Sequence, residues 1–196
     1  MDTMEQDLIS KRCERDFDWQ EELKNNITSV EELKDFIPIN KEEEENLKKV
    51  AEIHPMNITR YYLSLIDPEN PNDPIRKMAL PSVEELTIAG AMGETTADPY
   101  GDDKHDKGNG ILHKYSYSAL VVATEYCSMY CRHCFRKRMV GLPNAQTVEN
   151  FRKAAEYISE HKEITNVIIS GGDPMLLPTD TIIKMLSFLE DIPHLN

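Results

Sequence analysis

Ala119-Leu-Val-Val-Ala-Thr-Glu-Tyr-Cys-Ser-Met-Tyr-Cys-Arg-His-Cys-Phe-Arg-Lys-Arg138 joins two kinds of sequence. Its first five residues are apolar, β-branched in part and without alternation, which predicts a strand covered on both faces. From Thr124 the chain turns polar and sets Cys127, Cys131 and Cys134 within eight residues of one another. A cysteine loop that leaves the C-terminal end of a buried strand stands where α/β folds and barrels keep their chemistry.

Three thiols at this spacing can aim at one centre and leave one position for another ligand. Zinc would complete its tetrahedron with His133 or His161 as a structural Cys3His site, although zinc sites usually show paired CxxC knuckles and the remaining cysteine, Cys13, is distant. An iron–sulfur cluster on three thiolates leaves one iron open to an exogenous ligand. A loop this polar would not bury three thiols as plain hydrophobes, and nothing points to the oxidising compartment a disulfide needs.

Beyond the loop, Thr147 caps a predicted helix with Val148, Phe151, Ala155 and Ile158 on one face, and Ile164–Ser170 reads as a second buried strand. Strand, helix, strand at this separation predicts a right-handed crossover and a parallel pair. Ser170-Gly-Gly-Asp173 then emerges on the same edge as the cysteines. Its glycines let backbone approach a ligand, and the Asp173 carboxylate can receive an ammonium. Pro178 to Leu189 predicts a further helix with Ile182, Ile183, Leu186 and Leu189 inward.

The N-terminal half reads as helical. Asp18-Trp-Gln-Glu-Glu-Leu23 opens an amphipathic segment, and Thr28 or Ser29 caps a second in which Val30, Leu33 and Phe36 share a face. Asn40 with Glu43 resembles a capping box before Leu47, Val50, Ala51 and Ile53, and the acidic run Glu42 to Glu45 suits the positive end of that helix better than a metal. Asp67 to Pro74 is a proline-rich loop, and Pro81-Ser-Val-Glu-Glu-Leu86 starts another helix. Ala89 to Asn109 is a connector.

With 196 residues, 40% of them hydrophobic, the chain can bury a core. Its formal net charge of -13 opposes docking on phosphate backbones, so no nucleic-acid partner is expected. An acidic start without an apolar stretch gives no signal peptide, and no run reaches membrane-spanning length. A cytoplasmic protein with reduced thiols and no membrane partner is the expectation.

The CxxxCxxC pattern after the first core strand resembles the radical S-adenosylmethionine enzymes. Tyr126-Cys-Ser-Met-Tyr-Cys-Arg-His-Cys134 with Arg136-Lys-Arg138, together with Ser170-Gly-Gly-Asp-Pro174, is similar more narrowly to the lysine 2,3-aminomutase family. So are Trp19, Ile27 to Leu33, Asn57-Ile-Thr-Arg-Tyr-Tyr62 and Asp73-Pro-Ile-Arg76 in the N-terminal stretch. The resemblance implies a 4Fe-4S cluster on Cys127, Cys131 and Cys134, with S-adenosylmethionine chelated at the open iron and cleaved by one electron to a 5'-deoxyadenosyl radical. It implies that His133 lies against the adenine and that Gly171, Gly172 and Asp173 meet the amino group of S-adenosylmethionine. Arg136 matches an arginine that receives the substrate carboxylate. His113-Lys-Tyr115 stands where the family has His-Arg-Tyr, so Lys114 and Tyr115 would help hold pyridoxal phosphate. Lys114 departs from the usual arginine, offering phosphate a point charge instead of a planar fork, and Ser118 stands where a second arginine often does.

The implied fold is α/β, a partial parallel (β/α) barrel preceded by a helical extension. Residues 1–110 would be that extension and connector, and 111–196 the first part of the core. The implied partner is a small amino acid, with a homo-oligomer or a missing C-terminal half completing the protein.

Overall fold

A computed structural model describes residues 18–86, 98–141 and 148–195. The first part is a set of short helices, each started by a side-chain cap. They are α1 (Trp19–Lys24), α2 (Val30–Leu33), α3 (Lys41–Ile53), α4 (Arg60–Leu63) and α5 (Pro74–Ala79). Asp18, Ser29, Asn40, Thr59 and Asp73 each accept backbone N–H groups that the first turn leaves without partners. Ser29 and Glu32 form a reciprocal capping box. The Asn40–Glu43 pair does only half of this: Asn40 accepts from Glu43 N at 2.9 Å, while the Glu43 carboxylate turns to Arg76 at 3.3 Å.

Ile27 and Ile58 exchange backbone hydrogen bonds of 2.8 and 3.0 Å and pin these helices together. Around them Val30, Leu33, Ile37, Leu47, Met56, Leu63, Ile66, Ala79 and Leu80 form one apolar core. Two expected inward residues are not there: Phe36 and Ile53 are exposed, because α2 ends at Leu33 so that Ile37 takes the inward place, and Ile53 sits in the last turn of α3. Of the acidic run, Glu44 is ion-paired to Lys34 and Lys48.

The second part is a mixed sheet in the order β1 (Ile111–Tyr115), β2 (Ser118–Thr124), β3 (Asn166–Gly171), with α6 (Val148–Glu160) and α7 (Thr179–Glu190). β2 and β3 are parallel, as the crossover predicts, with Ala119 opposite Val167 and Val121 opposite Ile169. β1 is antiparallel to β2. That pairing departs from the all-parallel arrangement the sequence implies: Ile111 and Leu112 anchor a hairpin whose turn is Ser116–Tyr117. Among the described residues the sheet has three strands and does not close as a barrel.

Period-two alternation divides the sheet's two faces. Ile111, Ala119, Val121 and Ala123 bury against Phe151, Ala154, Ala155 and Ile158 of α6 and Met185 of α7. Leu112, Leu120 and Ile168 lie across from one another on the other face, and Ile168 is 50% exposed, so β3 is not the doubly buried strand its composition predicts. α7 departs likewise: Met185 faces the core while Ile183 and Leu186 are exposed. The Thr147 cap lies outside the described residues.

Phe151 is 2% exposed at the centre of the second core. Phe151→Ala is expected to cost about 3–5 kcal/mol in urea unfolding with an unchanged m value, whereas Ile183→Ala changes stability by less than about 0.5 kcal/mol.

Candidate active site

The cysteine loop is carried by the helical part. Met129 packs against the first core, so the residue midway between Cys127 and Cys131 is an apolar plug. Asn57 Nδ2 donates to the carbonyl oxygens of Cys127 (3.2 Å) and Ser128 (3.4 Å), Asn26 Nδ2 donates to Ser128 O at 3.0 Å, and Tyr130 N donates to Asn57 O at 2.9 Å. These bonds satisfy polar backbone that the loop would otherwise leave bare.

Arg132, between the second and third cysteines, is the strongest tie. It is buried and donates to both Glu85 oxygens (3.0 and 2.7 Å), to Pro55 O (2.9 Å) and to His54 O (3.3 Å). This uses the planar fork that only arginine offers. Glu85 also takes the Lys137 ammonium. Burial opposes charge on Glu85, but hydrogen bonds from Arg132 and Lys137 outweigh it and hold its carboxyl below the ordinary value of 4.5.

Gly171, Gly172 and Asp173 come onto the same loop. Gly172 N donates to Thr124 O at 2.6 Å and Asp173 N to Tyr126 O at 2.7 Å. Gly171 has φ +117°, and a Cβ would lie 2.2 Å from Thr124 O there and 2.1 Å from Tyr126 O at Gly172. Only glycine permits this approach. Asp173 Oδ1 accepts from Met175 N at 3.1 Å.

All three thiols are free and half-buried. Burial, then the neighbouring Cys134, Asp173 and Cys131, pushes the Cys127 thiol up to about 11; burial and Cys134 push Cys131 up. A bound cation would reverse the shift by stabilising thiolates. Among the described residues no three His, Cys, Asp or Glu side chains are already drawn into a metal cage. The donor set itself, three thiols on one braced loop, fits cluster ligation. His133 is exposed, as are Tyr126 and Phe135 beside the outer cysteines.

Lys114, Tyr115 and Arg136 line a second pocket of about 170 Å³ over Leu112, Leu120 and Ile168. A register shift between Leu112 and Tyr115 brings both Lys114 and Tyr115 to it. Lys114 Nζ donates to Tyr100 O at 2.8 Å and lies 5.9 Å from the Tyr100 and Tyr115 ring centres. Arg136 Nε is 3.2 Å from Asp102, and Arg138 pairs with Asp103 at 2.8 Å, so the basic run is docked on the acidic connector. His113 points the other way, its Nδ1 3.0 Å from the Tyr157 hydroxyl.

Residues 121–195 match the radical SAM superfamily model. The chain is 42% identical over 180 residues to an L-lysine 2,3-aminomutase of Clostridium subterminale, covering 91% of this chain and 42% of that one. It is 40% identical over 165 residues to a putative L-lysine 2,3-aminomutase of Aquifex aeolicus, covering 84% and 43%. Against a glutamate 2,3-aminomutase of Clostridioides difficile the identity is 35% over 181 residues, covering 92% and 42%. The chain belongs to the lysine 2,3-aminomutase family of radical SAM proteins. It spans less than half the length of these relatives.

The names of these relatives are those of enzymes, aminomutases acting on lysine or glutamate. In this aminomutase-family chain the structure brings the cysteines to Gly171–Asp173, and Lys114 and Tyr115 to Arg136. Sequence reading missed Arg132, Glu85, Asn26 and Asn57. Their partners lie between 31 and 102 residues away, and only the arginine embedded between two cysteines gave a local signal.

Glu85→Ala strands two cations, and is expected to cost about 3–5 kcal/mol in chemical unfolding at neutral pH. Because the folded carboxyl sits below 4.5, its stabilisation is present above that pH and is lost as pH falls through the folded value. Glu85→Gln should therefore flatten the acid limb of the stability profile, read by urea midpoints from pH 7 to 3.

Proposed function

We propose that this chain carries the cluster- and S-adenosylmethionine-binding part of an aminomutase that moves an amino group from the α to the β carbon of a small amino acid. The observation that carries the reading is the seating of Gly171–Asp173 on Thr124–Tyr126, which sets close-approach backbone on the cysteine loop and the anionic Asp173 within electrostatic reach of Cys127. Cys127, Cys131 and Cys134 would hold the cluster, with S-adenosylmethionine against Gly171, Gly172, Asp173 and His133. Lys114, Tyr115 and Arg136 would take anionic groups of pyridoxal phosphate and substrate. When bound, these cofactors supply the radical chemistry and the carrier of the migrating nitrogen.

The chain's own groups bind and orient. The Asp173 carboxylate accepts an ammonium, Arg136 offers a guanidinium to a carboxylate, and Lys114 offers a point charge to phosphate. Asp102 holds Arg136 in place at the pocket wall. Asn57 satisfies the carbonyl groups of Cys127 and Ser128 and so holds the start of the loop in shape.

The division at residue 110 fits this reading, with 1–110 as support and 111–196 as the start of the catalytic core. So do a cytoplasmic setting, the absence of nucleic-acid and membrane partners, and completion by a C-terminal half or a second copy. No helix among the described residues is long and apolar enough to cross a membrane.

After anaerobic reconstitution the chain is expected to bind iron and sulfide and turn brown. Cys127→Ala, Cys131→Ala and Cys134→Ala each abolish this, and Cys13→Ala does not. A colourless zinc protein, or loss of iron in the Cys13 variant alone, would contradict the assignment. Supplied with reductant, S-adenosylmethionine, pyridoxal phosphate and lysine or glutamate, the 196-residue chain alone gives no sustained β-amino acid by chromatography.

A further inference from the structure

Arg132, Lys137 and Glu85 meet with side chains 5, 20 and 10% exposed, two cations on one anion. The group thus has a surplus positive charge, which is costly away from water unless an anion answers it. Lys137 Nζ also donates to Arg132 O at 3.1 Å, the carbonyl between Cys131 and Cys134. A small cavity is lined there by His54, Tyr130, Cys131, Cys134, Lys137 and Val140. His54 Nδ1, which is buried, has no hydrogen-bond partner among the described residues. Of these groups, Glu85, Arg132, Lys137 and His54 take no part in the binding roles assigned above.

We propose that Lys137, clamped by Glu85 and Arg132, is a positioning residue that sets the reduction potential of the cluster carried by the cysteine loop. The inference rests on the cluster reading. Thiolates and cluster supply the missing negative charge, and the electron that reduces the cluster adds more, so a fixed cation nearby favours the reduced form. Net charge, hydrogen bonding to sulfur and burial are the means by which proteins tune such potentials. Glu85 keeps the ammonium in place and Arg132 keeps Glu85 ionised, so the helical part acts on the cluster through charge as well as through shape.

The test is a dithionite titration, followed by electron paramagnetic resonance, of the reconstituted chain and of Lys137→Met, Lys137→Arg and Lys153→Met, the last removing an exposed cation on α6. At a fixed potential Lys137→Met should lower the reduced-to-oxidised ratio about tenfold, a one-electron shift of about 59 mV to more negative values. Lys137→Arg and Lys153→Met should stay near wild type. Iron loss in the Met variant with retention in the Arg variant also supports a charge role. An unshifted Lys137→Met cluster, an Arg variant shifted as far as Met, or iron loss in both overturns it. Wild-type protein without iron and sulfide would instead overturn the cluster reading beneath it.

Discussion

The structure depends on one guanidinium. Arg132 is placed by sequence in the middle of the cysteine loop and by space inside the helical part, where Glu85 and the carbonyl groups of His54 and Pro55 surround it. An arginine buried this way cannot shed its proton, so its partners must stay where they are or the charge is stranded. The loop's shape is therefore an outcome of packing between two cores. Met129 supplies the apolar half of the same contact, and Asn26 and Asn57 satisfy the backbone between.

A second constraint comes from the sheet. The cysteines leave β2 and Gly171–Asp173 leave β3, and parallel pairing puts both exits on one edge. What turns proximity into contact is the missing side chain at Gly171 and Gly172, where any Cβ would overlap a loop carbonyl. On the open face the register shift in β1 and the docking of Arg136 and Arg138 on the acidic connector collect Lys114, Tyr115 and Arg136 into one pocket.

Much of this was legible because it is local. The unalternating run 119–123, the amphipathic pattern of α6, the caps at Ser29 and Asn40 and the thiol spacing each follow from neighbours in sequence. Strand β1 was missed because His113, Lys114 and Tyr115 are polar on an edge and carry no apolar period of their own. The inward face of α7 was misjudged because Ile183 and Leu186 share its apolar stripe, yet Met185 is what α6 and the sheet cover. The ion pairs of Arg136 to Arg138 were not legible, since their acidic partners lie more than thirty residues earlier. Composition cannot show which charges meet.

The order of the support along the chain has a consequence for biogenesis. Asn26, Pro55, Asn57 and Glu85 all precede the cysteines, and proteins are made from the N-terminus. During synthesis the helical core can thus gather its own residues while the thiols are still inside the ribosome. When Cys127 emerges, the residues that hold its loop have already left the ribosome, and the nascent loop has a surface to settle on.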